Sequence, residues 1–141
     1  MTRAEIDTFF AQRQHKWKRL DAKALAEDHT EDGLLESPLG GTVRGREAIK
    51  NIYMRWFAAF PDVEFRTEDL VIDGDRAAHI TMMTGTHEGE FCGLSATGKH
   101  FEVRCVFLFI FAGGKIAHEI RVYDFTGLLV QLGLLKAKPA F

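Results

Sequence analysis

The sequence is poor in the features that cross-link a chain or carry it to a polyanion. Its 141 residues include two cysteines. Cys92 sits in a glycine-flanked turn and Cys105 inside an apolar run, which is neither a disulfide framework nor a metal-ligand pattern, so both read as reduced thiols. Lys and Arg number 18 against 20 Asp and Glu, so there is no basic field to displace counterions from a phosphate backbone or an anionic lipid surface. Nucleic acid and membrane are therefore not expected partners. No apolar run reaches the ~18 residues of a membrane span, and MTRAEIDTFF lacks the basic and then purely apolar regions of a signal peptide. A cytoplasmic location is the expectation. HEGEF lacks the second histidine of a zinc helix, and Gly93-Leu-Ser95-Ala-Thr97 lacks the final glycine of a nucleophile elbow. His79 and His87 share strand parity but lie eight residues apart, about 26 Å along a strand, too far to chelate one metal. No metal is expected. Tyrosine and tryptophan are scarce at two each, whereas phenylalanine numbers twelve: a core or lining material with no polar handle.

The order of patterns is helices first, then strands. Thr2 and Glu5 make a capping box, and Ile6, Phe9, Phe10, Arg13, Trp17 and Leu20 recur at helical spacing, predicting a helix over 3–19. Asp21 caps a short second helix through Asp28. HTEDG breaks the pattern, GLLESPLGG reads as a short strand into a Pro/Gly turn, and a third helix over 46–59 ends before Pro61. From Val63 the texture is β: VEFRTEDLVI, RAAHITMMTGTHEGEF, HFEVRCVFLFIF and IAHEIRVYD, separated by turns and one glycine-rich loop. This predicts one domain over 1–141, of α+β class. Three helices at about 3–60 pack on a curved antiparallel sheet at about 63–124, and a C-terminal turn and tail fill 125–141. The tail could be loose or could cross to a partner subunit.

Ala112-Gly113-Gly114-Lys115 predicts a hairpin with both glycines at positive φ. A regular ladder from that turn pairs Phe111 with Ile116, Phe109 with His118, Phe107 with Ile120, Cys105 with Val122 and Val103 with Asp124. All of these then share one face, apolar except for His118 and Asp124. A carboxylate on such a face loses hydration and becomes a proton carrier near neutral pH, which makes Asp124 the catalytic candidate. The alternative is that Asp124 merely caps the helical turn starting at Phe125. His118, in turn, could be a histidine paired within the core or at its rim. It lies about 20 Å from Asp124 along the strand, so the two cannot form a dyad. His87 faces the pocket or braces the Gly89 loop. Trp17, Phe57 and Met83 are candidates for cavity lining, with plain core as the alternative. Arg104 and Arg121 fall on the opposite, mixed face, where a subunit contact is the sharper idea.

Thr84-Gly-Thr-His-x-Gly-Glu-Phe91, Thr97-Gly98 and the ending Asp124-x-x-Gly-x-Leu-x-Gln-Leu-Gly133 together resemble the SnoaL-like polyketide cyclase family, and the early helices match it in order and spacing. The resemblance implies a cone-shaped α+β fold of the nuclear-transport-factor-like superfamily, with a sheet around a deep apolar pocket and frequent homodimerisation. It implies Asp124 as acid/base in an intramolecular aldol closure, with no metal and no organic cofactor. The implied substrate is a hydrophobic carbonyl compound; the hairpin register, strand parity and helix faces, not the resemblance, offer His118, His87, Phe107, Phe109, Ile120, Val122, Trp17, Phe57 and Met83 as its contacts. The steroid isomerases of the same superfamily carry their acids at positions that here are Ser37 and Val106 or Phe107, which speaks against their mechanism. The same pocket without chemistry, a ligand-binding or interaction module, is the alternative function.

Overall fold

The structure, a computed structural model, describes residues 1–136. The first two helices begin where side chains cap them. At the start of α1 (Arg3–Lys18) the Thr2 hydroxyl accepts the Glu5 N–H at 3.1 Å and the Glu5 carboxylate accepts the Thr2 N–H at 2.7 Å. Asp21 caps α2 (Ala22–Glu27) through the Ala24 N–H, as expected. Two strands, β1 (His29–Ser37) and β2 (Gly41–Arg44), precede α3 (Arg46–Ala59). The buried stripe Ile49, Ile52, Tyr53, Trp56 on α3 follows its helical period. Then come β3 (Glu64–Asp73), β4 (Arg76–Thr86), β5 (His100–Ala112), β6 (Lys115–Tyr123) and α4 (Phe125–Gln131).

Among the described residues six strands form one sheet in the order β2-β1-β6-β5-β4-β3, with the helices on its inner face. This is the α+β cone expected from the sequence, with three departures. β1 begins at His29, inside HTEDG, and pairs parallel with β6, so the sheet is mixed. β2 was not anticipated. β4 ends at Thr86 rather than running to Phe91, because the Glu88 and Gly89 N–H groups turn to the Ala59 carbonyl at the end of α3. Gly89 is required there: a Cβ would lie 2.0 Å from the Ala58 oxygen. The terminal-tail expectation concerns residues 137–141, outside the described residues.

The hairpin turn is as expected, with Gly113 at φ 57° and Gly114 at φ 78°. The ladder beyond it is not. Phe111 pairs with Ile116, but Ile110 pairs with His118, leaving Ala117 as the extra residue of a β-bulge. From there Phe109 opposes Glu119, Phe107 opposes Arg121 and Cys105 opposes Tyr123. A slip of one residue exchanges the two faces of a strand. Glu119, Arg121 and Tyr123 thus turn into the core, while His118, Ile120 and Val122 turn to the outer face, where Val122 is 60% exposed. β1 has its own irregularity beside the bulge, between His29 and Leu34. The expectation that Arg121 belongs to an exposed mixed face is corrected by the same shift: it is 5% exposed.

Candidate functional site

Between α1 and the inner face of β3, β4 and β5 lies a cavity of about 840 Å³. Strand alternation builds its wall: β5 turns every second residue inward, so Phe107 and Phe109 stand side by side, ring centroids 6.0 Å apart. Phe10 and Trp17 close it from α1, Phe65 from β3. The exposed Gln14, Lys18, Asp62, Glu64 and Arg66 surround the opening.

Two ionisable groups stand among the aromatic walls. His79, on the inward parity of β4, packs against Phe10, with ring centroids 5.2 Å apart, and its Nε2 meets the Thr67 hydroxyl at 2.8 Å. Burial, followed by the charge of Arg13, pushes the His79 imidazole down to about 4, so the ring is neutral at pH 7. The stability consequence has a definite sign. Above about 6.5 the ring is neutral in folded and unfolded chains alike. As pH falls from there toward about 4, the unfolded chain takes a proton that the folded chain refuses. Folding stability should therefore decline across that window by at most about 1.4 kcal/mol per pH unit. Urea titrations from pH 7 to 4.5 should show a shallower decline in His79→Phe than in the wild type.

Arg13 is the second group, and a network behind the cavity fixes it. Its Nη1 donates to Asp28 at 3.1 Å, and its Nη2 donates to the Tyr53 hydroxyl and, at 3.2 Å, to Glu119 Oε1. Asp28 also receives Lys16 at 2.5 Å. Glu119, 0% exposed, is the hub: its Oε1 also faces His29 Nε2 at 3.1 Å and the Tyr53 hydroxyl at 3.3 Å, and its Oε2 accepts from Arg121 Nε at 2.5 Å. Burial alone would raise the Glu119 carboxyl, but Arg121, the His29 hydrogen bond and Arg13 outweigh it and hold the group well below the usual carboxylate range. Glu119 stays ionised and is no proton carrier. Its work is to hold two guanidinium groups inside an apolar core.

The residues anticipated from the sequence scatter. Phe107, Phe109 and Trp17 line the cavity. Met83 lines a smaller chamber behind it. Phe57 packs on Trp17 and Tyr53, with centroids at 5.5 and 6.1 Å, and belongs to the core. His87 is buried and clamps the loop after β4, its Nδ1 3.0 Å from the Thr97 hydroxyl, so it braces rather than faces the cavity. The bulge removes His118, Ile120 and Val122 from the ligand side, and His118 instead meets Glu36 at 2.5 Å on the outer face.

Asp124 is exposed and outside the cavity lining, which removes the desolvation argument made for it. Its Oδ1 accepts the Gly127 N–H at 2.8 Å and caps α4. A Cβ at Gly127 would sit 2.1 Å from the Asp124 Oδ2, so the Asp-x-x-Gly spacing has a local reason: the glycine makes room for the capping carboxylate. Asp124→Ala should cost about 0.5–2 kcal/mol and Asp124→Asn much less, since Asn caps as well as Asp. Thermal unfolding of the two variants checks this.

Arg13 and His79 are the site residues that pattern reading did not single out as such. Arg13 did leave a signal, a charge in the apolar stripe of α1. Among the described residues, no group of three or more His, Cys, Asp or Glu is placed to hold a metal ion, and no helix is long and apolar enough to cross a membrane.

Comparison with known proteins places this geometry. The family model for SnoaL-like polyketide cyclases matches residues 8–132. No curated protein matches in sequence. Among solved structures, TsrD from Streptomyces laurentii superposes with a TM-score of 0.84 at 25% identity, covering 96% of this chain and 99% of TsrD. AclR from Streptomyces galilaeus, a proposed hydroxylase, also gives 0.84, at 26% identity over 99% of this chain and 91% of its own. IdmH from Streptomyces antibioticus, a proposed polyketide cyclase, gives 0.75 at 29% identity over 92% and 98%.

Proposed function

Because the chain belongs to the SnoaL-like polyketide cyclase family, we propose that it is an enzyme that moves protons on a hydrophobic carbonyl compound held in the α1–β3–β4–β5 cavity, without a cofactor. The observation that carries this reading is the pairing, inside an aromatic-walled cavity, of a neutral imidazole with a fixed guanidinium. Aromatic walls bind flat apolar area without directed bonds and leave orientation to the few polar groups. In the proposed step His79 takes a proton from the carbon beside a carbonyl, and the C–H electron pair moves to the carbonyl oxygen as an enolate. The charge of Arg13 faces that growing oxyanion, held by Asp28 and Glu119 so that no reorganisation is needed as charge develops. The enolate carbon then attacks a second carbonyl of the same molecule, and the imidazolium returns its proton to the alkoxide, which is aldol cyclisation. Return of the proton at another carbon is isomerisation. Both leave the atom count unchanged. A second copy of this chain is the proposed partner of the outer sheet face, where Val71 and Val122 are exposed.

A ligand-binding module is the second reading, favoured by the fact that both Nη atoms of Arg13 already have protein partners. Deuterium uptake at the α-carbon of 1-tetralone, followed by NMR in D₂O, separates the two. An enzyme accelerates uptake over buffer. Saturable binding of 1-tetralone with uptake at the buffer rate establishes the binding module instead.

A further inference from the structure

We infer that Leu20 is a specificity residue: it holds the apolar far end of a ligand whose carbonyl lies beside His79, so that the cavity selects a linear molecule of more than two rings. The inference rests on the reading that the cavity holds the ligand, and adds the length of molecule that fits it.

The cavity is a slot that follows α1. Phe10, Arg13, Gln14, Trp17 and Lys18 line it at the spacing of one helix face, and Leu20 continues the line past the helix end. From Phe10 to Lys18 the helix rises about 12 Å. β3 runs alongside in the opposite direction. Gln14 Nε2 lies 3.5 Å from the Thr67 hydroxyl, the Trp17 and Phe65 rings are 4.4 Å apart between centroids, and the same progression carries the lining to Val63 and Pro61 at the Leu20 end. His79 packs on Phe10 and Phe107, so the imidazole stands toward the other end. A two-ring ketone held at His79 is shorter than the slot, and a third ring in line reaches toward Leu20.

Leu20 also sits in a backbone conformation that disfavours it. Among the described residues two that are not glycine have positive φ, Leu20 and Cys92, each at 54°, and of the two only Leu20 lines the cavity. It occupies the left-handed position that closes α1: the Leu20 N–H donates to the Trp17 carbonyl and the Asp21 N–H to the Lys16 carbonyl, each at 3.0 Å. Glycine is the usual residue there, because a Cβ crowds the following carbonyl oxygen. The cap itself has no use for leucine. The apolar contact that often accompanies such a cap comes from the next residue, which here is Asp21. A residue strained at the wall of a ligand cavity points to a role for its side chain in that cavity. Leu20 is half-buried, so part of the side chain rests on the core and part is open to a ligand.

Calorimetric titration compares 1-tetralone with its linearly benzo-fused three-ring homologue in the wild type, Leu20→Gly and Leu20→Ala. The wild type should prefer the three-ring ketone. Both variants should cut that preference about fivefold, the scale of a partly buried leucine contact, while the affinity for 1-tetralone changes by less than about twofold. Thermal unfolding separates backbone from side chain: Leu20→Gly, which relieves the left-handed strain, should melt roughly 2–5 °C above Leu20→Ala, which keeps it. A leucine that only packs would lower the midpoint in both variants and leave the ratio of affinities alone. An unchanged ratio in both folded variants, or Leu20→Gly melting no higher than Leu20→Ala, overturns the inference and leaves the cavity reading intact. Failure of both ketones to bind the wild type overturns the two together.

Discussion

Replacing Glu119 with Gln is expected to destabilise the protein by about 3–5 kcal/mol, the scale for breaking a buried ion pair and leaving its partners uncompensated. For a chain of this size that is a fall of about 10–20 °C in the unfolding midpoint. The substitution keeps shape and one acceptor oxygen but removes the charge facing Arg13 and Arg121, both nearly without solvent contact. Neither guanidinium can lose its proton to relieve the cost. Glu36→Gln is the matched control. Glu36 makes an equally short contact with His118, but on the outer face with both side chains partly exposed, where pairs contribute about 0–1 kcal/mol. Chemical denaturation of the two variants should therefore differ several-fold in midpoint shift. A loss below about 1 kcal/mol for Glu119→Gln would mean that water reaches the network and that burial does not govern it.

The same network explains why the fold was legible in the sequence and half of the site was not. The starts of the first two helices were readable because each has a local cause: Thr2 with Glu5 for α1, Asp21 for α2. The turn at Gly113 and Gly114 was readable for the same reason. The face of β6 was not, because the alternation Ile116, His118, Ile120, Val122 is apolar enough to look like the core side. What decides the matter is distant in sequence: Glu119 turns inward to meet Arg13, His29 and Tyr53, which come from α1, β1 and α3. One bulged residue, Ala117, makes the exchange. Hydrophobic pattern cannot anticipate such a bulge, since the charges it buries are acceptable only with partners that other elements supply. Asp124 shows the converse case. Its spacing to Gly127 is visible in the sequence, and the helix-cap alternative describes where its side chain is. In the sequence His79 shows nothing beyond strand parity with His87. Its position opposite Phe107 in the β4–β5 ladder, which puts it in the aromatic wall, becomes visible once that pairing is known.

If His79 carries the proton, His79→Phe and His79→Gln should each slow deuterium exchange of 1-tetralone by about 10²–10⁴-fold, the usual contribution of a positioned acid/base. Binding should survive, because the Phe variant extends an already aromatic wall of Phe10, Phe107 and Phe109. The pH profile carries the sharper signature. A base whose group is held down at about 4 is unprotonated through neutrality, so the wild-type rate should stay level from pH 8 to about 5 and fall as His79 protonates through about 4. An unperturbed histidine would instead lose activity near 6.5. Asp124→Asn supplies the opposing arm, since it keeps the α4 cap while removing the only ionisable function of the position that the family resemblance implies. Retained exchange in Asp124→Asn with loss in both His79 variants assigns the proton to the imidazole. The reverse pattern removes His79 from the mechanism and requires the start of α4 to swing its capping carboxylate into the cavity, a movement that frees the Gly127 N–H and would register as faster amide exchange there when ligand binds.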